Sequence, residues 1–402
     1  MPAAKCVAVH GALLMRTKTG GWDSVAAKSS VPAGRLLVAL FGAEFESPNG
    51  AIEMRMIADV GQRGPFPVLE AAVQFNVAKK ADLDVTLDRG IVVFVNKKKV
   101  GAAHLLLHMR DETFEVTLAE PKAKLGVEVY GRHVPGPANL TDAKKDDPVA
   151  SVAFFALEGE VVIGAEKHVS RLQAPPGNAL YLWDSLTRQP EISRFETLPD
   201  SVKPFDAKEK AQFLALCLHA KTMADKPGEI GAGIYEALRS KDPVRRKVAV
   251  VALGALDQYS QLMQELGSKD HADVRDMAVL VLRHWLGRQP GQTVRLYEFL
   301  TKVEGYTPVQ AKSFLHLCYG IEADQRRQPS TYDLLIQGLN HSKAPMRELA
   351  HWHLVRLAPD GKAIPYDAAA AEPQRLQAIE AWRRLIPEGE LPPSPKKKTG
   401  TN

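Results

Sequence analysis

The first 173 residues alternate between apolar and polar side chains with a period of two. The alternation is clearest in residues 52–56, 82–88 and 114–118. A period of two places one set of side chains on the core face of a strand and the other set in solvent. Short strands separated by turn signals are typical of a β-sandwich or barrel-like domain. We therefore predict an all-β domain at residues 1–173.

Glycine-containing turn signals divide this region into short strands. They are Asn49-Gly50, Arg89-Gly90, Gly131 and Glu158-Gly159. The last signal lies in the run SVAFFALEGEVVIGA, residues 151–165, where apolar segments flank a single glycine. We predict that this run forms a hairpin that closes the β domain.

The composition changes after the predicted hairpin. Residues 174–206 begin with Ala-Pro-Pro-Gly and are rich in proline and polar residues, apart from an apolar patch at residues 179–183, so we predict a connector. From Ala207 onward apolar residues recur with a helical period. We predict a helical domain at residues 207–390 and a disordered, Pro- and Lys-rich basic tail at residues 391–402.

Four segments of the helical region align without gaps. Each has an anchor residue, a small residue three positions later and a leucine seven positions later, all on one helical face. The anchors are Arg246, Arg275, Gln310 and Arg347, the small residues are Ala249, Ala278, Ser313 and Ala350, and the leucines are Leu253, Leu282, Leu317 and Leu354. The segments resemble HEAT-type helix pairs, which stack into an α-solenoid. The predicted class is thus multidomain β + α, and the resemblance implies protein binding.

Composition and charge fit an ordinary globular protein. Hydrophobic residues make up 45% and charged residues 25% of the 402 residues, and the formal net charge is +5. Three cysteines are too few for a disulfide framework. No apolar run approaches the roughly 20 residues that a membrane-spanning helix needs, and residues 1–21 do not read as a secretion signal. The sequence therefore predicts a cytoplasmic protein unless an export segment precedes it.

Five stretches of the predicted β domain match a known module in order. They are GGWDSV (20–25), VPAGRLLVA (31–39), SPNGAIEMRM (47–56), LDRGIVVFVN (87–96) and FEVTLAEPKAKLGVEVYG (114–131). Together they resemble a FecR-like domain, spanning residues 10–133, the β module first known from bacterial transmembrane signalling regulators. The resemblance implies a periplasmic or cell-envelope location if an export segment precedes this sequence, and a cytoplasmic location is the alternative. The family's usual Gly-Thr-x-Phe after the last strand is replaced here by Gly-Arg-His-Val, residues 131–134.

Several residues have the chemistry of metal ligands, but none forms a complete motif. His104 and His108 share one face, although zinc needs three or four ligands. His351 and His353 flank Trp352, and on a helix they point apart, so we expect one of them near the surface. The carboxylates Asp142, Asp146 and Asp147 lack the EF-hand spacing and have lysines between them.

No GxSxG, HExxH or Walker-type motif occurs, and the glycines at residues 228–236 lack the strand and the Lys-Ser/Thr of a phosphate loop. We predict no catalytic, cofactor-binding or metal residues and a non-enzymatic interaction or scaffold protein of the bacterial cell envelope. One alternative is carbohydrate or cell-wall binding by the β domain, with Trp22, Tyr130 and His133 as candidates.

The other alternative is nucleic-acid binding by the helical stack. It would use some of the basic clusters in the sequence. These are Lys97-Lys98-Lys99, Arg245-Arg246-Lys247, Arg326-Arg327, Arg383-Arg384 and Lys396-Lys397-Lys398. Nucleic-acid affinity requires such charge to be concentrated on one face, and the helical clusters are scattered among acidic residues.

Overall fold

The computed structural model of the chain describes residues 2–58, 69–140, 147–165, 168–198, 203, 205–225 and 230–393. Strands occupy the N-terminal part of the chain and helices the C-terminal part, which confirms the predicted β + α multidomain class. The chain divides into two compact units, residues 1–132 with 149–257 and residues 133–148 with 258–402. Among the described helices, none has both the length and the apolarity to cross a membrane.

The first unit contains seventeen strands within its described residues. They are β1 (Pro2–Val9), β2 (Ala12–Arg16), β3 (Trp22–Ser24), β4 (Ser30–Pro32), β5 (Leu36–Leu40), β6 (Ala43–Glu46), β7 (Ile52–Ile57), β8 (Ala71–Phe75), β9 (Leu83–Asn96), β10 (Ala103–Met109), β11 (Glu112–Leu118), β12 (Lys124–Arg132), β13 (Val149–Glu158), β14 (Glu160–Ala165), β15 (His168–Gln173), β16 (Gly177–Asp184) and β17 (Glu191–Phe195). The pairings are antiparallel except for the parallel pair β9–β10.

The long strand β9 belongs to two sheets. Its first half pairs with β8 and β10, and its second half pairs with β7 and β12. The change occurs at Gly90, whose φ is +98° and where a Cβ would collide with the backbone of Ala71. The predicted turn at Arg89-Gly90 is therefore wrong, because the glycine redirects a continuous strand from one sheet to the other.

The two sheets share one apolar core. Phe45 of β6 lies 5.1 Å from Phe75 of β8, and Phe114 of β11 lies 5.1 Å from Phe154 of β13, as measured between ring centroids. Each pair joins strands of different sheets, so the sheets pack face to face. The predicted alternation is confirmed in β7, β9 and β11, where the apolar residues of segments 52–56, 82–88 and 114–118 are buried.

Two features after residue 148 differ from the sequence prediction. The closing hairpin does not form, because β13 pairs with β12 and β16 while β14 pairs with β11 and β15. Gly159, with φ of +70°, turns the chain from one sheet to the other. The predicted connector contains β16 and β17, of which β16 pairs with β13 and places Tyr181 and Trp183 in the core.

The described residues of the first unit also form three helices: α1 (Ala207–Ala224), α2 (Ile230–Leu238) and α3 (Pro243–Ala255). Asp206 caps α1 by accepting from the backbone N–H of Glu209. Arg89 of β9 donates to the carbonyl oxygen of Ala255 at 3.0 Å, and Ser24 donates to that of Ala224 at 3.1 Å. These helices thus pack with the strands, whereas the sequence predicts that they belong to the helical domain. Helical periodicity shows which face is apolar, not which element covers it.

The remaining described helices lie in the second unit. They are α4 (Tyr259–Leu266), α5 (Ala272–Leu286), α6 (Gln292–Lys302), α7 (Pro308–Tyr319), α8 (Pro329–Gly338), α9 (Ala344–Leu357) and α10 (Glu372–Leu385), with short 3-10 helices at Gln325–Arg327 and Pro359–Ala363. One core cluster of this unit surrounds the fully buried Trp382 of α10.

Three of the four repeat anchors make the same kind of contact. Arg246, Arg275 and Arg347 are buried near the N-termini of α3, α5 and α9. Each guanidinium donates to a carbonyl oxygen of the preceding turn, that of Ser240, Ser268 or His341, at 2.7, 2.8 and 2.7 Å respectively. The buried charge is therefore bonded to the loop that leads into its own helix.

The alignment of the third repeat segment is wrong by one residue. In α7 Ser313 is exposed and Leu317 is half-buried, whereas the buried positions include Ala311, Phe314 and Cys318. Gln310 instead completes a capping box with Thr307 at the start of α7. Gln310 therefore caps its helix and does not make the buried contact that the arginines make in the other three segments.

Candidate binding groove on the second unit

A groove of about 650 Å³ lies among α7, α8 and α9. We call it the α7–α9 groove. Its apolar lining residues are Pro137, Ala138, Leu317, Leu334, Leu335, Met346 and Ala350, its polar lining residues are Lys312, Ser313, His316, Gln337, Asn340 and His341, and Gly338 lines it with backbone alone. Ser313 and Leu317, which the repeat alignment predicts as packing residues, line this groove because of the one-residue shift in α7.

Close packing of α8 on α9 forms one side of the groove. A Cβ at Gly338 would lie 2.9 Å from the Cβ of Ala350, nearer than side-chain carbons approach. The absence of a side chain at position 338 therefore sets the separation of these helices.

A buried histidine of α9 is hydrogen-bonded to the backbone of a residue that lines the groove. His353 of α9 bonds through its Nε2 to the carbonyl oxygen of Leu317 at 2.7 Å. Burial lowers the pKa of His353 to about 3, so the ring is neutral near pH 7 and donates its N–H. The ring of His351 packs against Tyr366 at 4.6 Å, and burial lowers its pKa to about 4. His353 is buried and His351 is half-buried, so His351 is the one that lies nearer the surface, as the sequence predicts.

The rim of the groove exposes apolar surface beside polar groups. Leu334 is 68% exposed although it is a large apolar residue on a helix. Lys312 is exposed on α7, one helical turn from His316. Asn340 donates to Glu372 and accepts from Arg375, each at 3.0 Å. None of the described lining residues is acidic. This arrangement can bind apolar side chains, and it brings no nucleophile and base into a bonded pair.

A second cavity, of about 580 Å³, lies in the first unit over strands β12, β13, β16 and β17. Tyr130, Phe155 and Leu182 line it together with the carboxylates of Glu128 and Asp184. Burial opposes ionisation of Asp184, but hydrogen bonds from Thr187 and Leu186 outweigh it and lower the pKa of Asp184. Tyr130 is the one residue of the predicted carbohydrate set that lines this cavity.

The other two residues of that set lie elsewhere. Trp22 is in β3, opposite Arg16 of β2. His133 belongs to the second unit, where its ring stacks on Tyr319 with centroids 4.0 Å apart and its Nε2 bonds to the carbonyl oxygen of Leu286 at 3.1 Å. Within the first unit, Trp22 is therefore not among the residues that line the cavity beside Tyr130, since a strand pattern cannot show which strand ends converge.

The histidines of β10 are held by a neighbouring strand. His104 bonds to Thr117 at 3.1 Å and His108 bonds to Thr113 at 3.0 Å. His108 also pairs with Asp84 at 2.9 Å. In the part of the chain that the structure describes, no group of three or more His, Cys, Asp or Glu side chains is placed to hold a metal ion.

Several other candidates are partly or wholly outside the described residues. Asp142, Asp146 and the cluster Lys396-Lys397-Lys398 lie outside them. Of the glycine-containing stretch 228–236, the described part begins at Ile230 and forms α2. There a Cβ at Gly233 would collide with the carbonyl of Met223, so this glycine allows α1 and α2 to approach closely.

Most of the described basic clusters have bonded partners. Lys97 and Lys98 pair with Glu53 and Asp82 at 3.3 and 2.7 Å. The arginines of the helical clusters also bond, Arg245 to Glu236, Arg326 to the carbonyl oxygen of Ile321 and Arg383 to Asp333. Nucleic-acid binding stays a prediction that these pairings do not favour.

No family model matches the chain, and no curated protein gives a match. One solved structure to which the chain is similar is that of a Parabacteroides distasonis protein proposed to be an anti-sigma factor. The sequences are 13% identical, the TM-score is 0.25, and the similarity covers 39% of this chain and 57% of that one. The match thus spans less than two thirds of that protein, and at this TM-score it establishes neither a shared fold nor a shared function.

Proposed function

We propose that this chain is a non-enzymatic interaction protein whose second unit binds another protein in the α7–α9 groove. The observation that carries the proposal is the exposed Leu334 beside the apolar walls formed by Leu317, Leu335 and Met346. A concave apolar surface with a polar rim gains free energy when a partner covers it, because water is released from both surfaces. Apolar anchors in such pockets contribute most of the affinity of protein interfaces.

The first unit would place this binding surface in the bacterial cell envelope. Support comes from the resemblance of residues 10–133 to FecR-like domains and from the observation that strands run through the described part of that range. Subcellular fractionation of the organism that makes the protein tests this part separately. Recovery with periplasmic or membrane-associated material supports it, and recovery in the cytoplasmic fraction contradicts it.

Quantitative affinity capture tests the binding function. The full chain carrying Leu334→Asp is compared with the unsubstituted chain and with Val309→Asp, which changes another exposed apolar residue on the neighbouring helix α7. Val309 is 74% exposed and does not line the groove. The proposal predicts a partner that is lost with Leu334→Asp and retained with Val309→Asp. An unchanged set of captured proteins would sink it.

Carbohydrate binding is a second candidate, favoured by the cavity over β12, β13, β16 and β17. Its aromatic side chains, including Tyr130 and Phe155, lie beside carboxylate and amide groups, including Asp184 and Gln189. Aromatic faces pack on the C–H faces of sugars while polar groups orient the hydroxyls. A glycan array probed with the full chain tests this candidate. The absence of any binding that Tyr130→Ala weakens would count against it.

A further inference from the structure

We propose that the segment bound in the α7–α9 groove is an amphipathic helix whose apolar face is flanked by acidic side chains. This inference rests on the proposed function and specifies the chemistry of the partner.

The walls of the groove favour a helical occupant. Most lining residues belong to α7, α8 and α9, whose backbone groups are bonded within the helices. In the turn between α8 and α9, the N–H groups of Asn340 and His341 donate to the carbonyl oxygens of Gln337 and Gly338, and the carbonyl oxygen of Leu317 accepts from His353. A segment that enters finds few backbone partners here, so it must satisfy its own N–H and C=O groups. A helix does this, whereas an extended strand would need an open sheet edge.

The apolar lining is suited to one face of such a helix. Leu334 and Leu335 on α8 face the same groove as Leu317 on α7 and Met346 on α9. Apolar side chains at positions i, i+3 or i+4, and i+7 of a bound helix would contact these walls together.

The polar groups of the groove favour acidic residues beside that apolar face. Lys312 and His316 lie one turn apart on α7, and no described lining residue is acidic. Two carboxylates beside the lining residues are already bonded: Asp333, which precedes Leu334, to Arg383, and Glu372 to the amide of Asn340. Acidic side chains of a partner would therefore lie near the ammonium group of Lys312 and near hydrogen-bond donors of the groove. They would not be repelled by an unpaired carboxylate among the described lining residues.

Selection from a random library of displayed peptides, about four helical turns long, tests the inference with the full chain as target. The expected enriched peptides have apolar residues at helical spacing and flanking Asp or Glu. Leu334→Asp is expected to weaken their binding at least tenfold, on the order of a hot-spot residue. Lys312→Glu is expected to weaken it several-fold and to shift a new selection toward Lys- and Arg-flanked peptides, whereas Lys362→Glu, an exposed position outside the groove, is expected to do neither.

The outcomes separate this inference from the proposed function. If enriched peptides depend on Leu334 but are basic, uncharged or extended, the groove binds protein and the inference about the partner is overturned. If enriched peptides bind Leu334→Asp as tightly as the unsubstituted chain, or if none is enriched, both the inference and the groove's function are overturned.

Discussion

Gly338 of α8 lies against Ala350 of α9 so closely that a Cβ at position 338 would be 2.9 Å from the Cβ of Ala350. Both residues line the α7–α9 groove. A substitution at this contact therefore acts on the stability of the helix pair and on the wall of the groove together.

We expect Gly338→Ala to destabilise the second unit despite the higher helix propensity of alanine. Overpacking of a close contact costs about 1–3 kcal/mol, which exceeds the gain in propensity of about 1 kcal/mol. Ala350→Gly in the same chain removes the opposing methyl group and is expected to restore part of the loss. Urea-unfolding midpoints of the two single variants and the double variant measure this coupling. Strictly additive effects would show that the two positions do not touch.

The buried histidine behind the groove predicts a pH-dependent stability. The pKa of His353 is lowered to about 3 in the folded chain, chiefly by burial and further by Arg283 and Arg356, whereas the unfolded value is about 6.5. Between these values the unfolded state binds more protons than the folded state, so stability falls as the pH drops from about 6.5 toward 3. The largest slope from this one group is about 1.4 kcal/mol per pH unit.

His353→Gln tests this dependence because glutamine also donates a hydrogen bond but does not titrate in this range. We expect its melting temperature to vary less between pH 7 and pH 4.5 than that of the unsubstituted chain. His104→Gln, on the exposed side of β10, is the control and should leave the pH dependence unchanged. An identical pH dependence in His353→Gln and the unsubstituted chain would rule out the assigned role of His353.

A buried ion pair connects the repeat anchor of α5 to α9. Arg275 is 1% exposed and donates to Glu348 at 2.9 Å, and it also pairs with Asp367. Arg275→Met leaves the Glu348 carboxylate buried without its guanidinium, for which we expect a loss of about 3–5 kcal/mol. Arg275→Met with Glu348→Met should recover much of that loss. Denaturant unfolding followed by circular dichroism checks both variants, and a double variant no more stable than Arg275→Met would contradict this explanation.

The sequence predicts the strands well where one face is buried. Residues 83–88 alternate in the sequence and in burial, because each apolar side chain points into the core between the sheets. The sequence does not show that the strand continues through Gly90, since a glycine marks a turn and a crossing between sheets equally well. The prediction that β13 and β14 pair as a hairpin is wrong for a related reason. A period of two identifies a strand but not its neighbour.

The helical part shows the same limit. The small residue and the leucine of the repeat pattern identify the buried face of the helices containing Arg246, Arg275 and Arg347, where both positions are buried. In α7 the glutamine at position 310 resembles an anchor by its place alone, and its actual role is to cap the helix. The groove could not be predicted from the sequence, because it depends on that one-residue shift and on the approach of α8 to α9 at Gly338.

Site-specific photocrosslinking in the organism that makes the protein tests the central claim most directly. A benzophenone amino acid replaces Gln337, which is exposed and lines the groove, or Lys362, which is exposed outside it. We predict one discrete crosslinked protein from position 337, none of that mass from position 362, and its loss when Leu334→Asp is added. The absence of a crosslink at position 337, or the same crosslinked protein from both positions, would contradict the assignment of the α7–α9 groove as a protein-binding site.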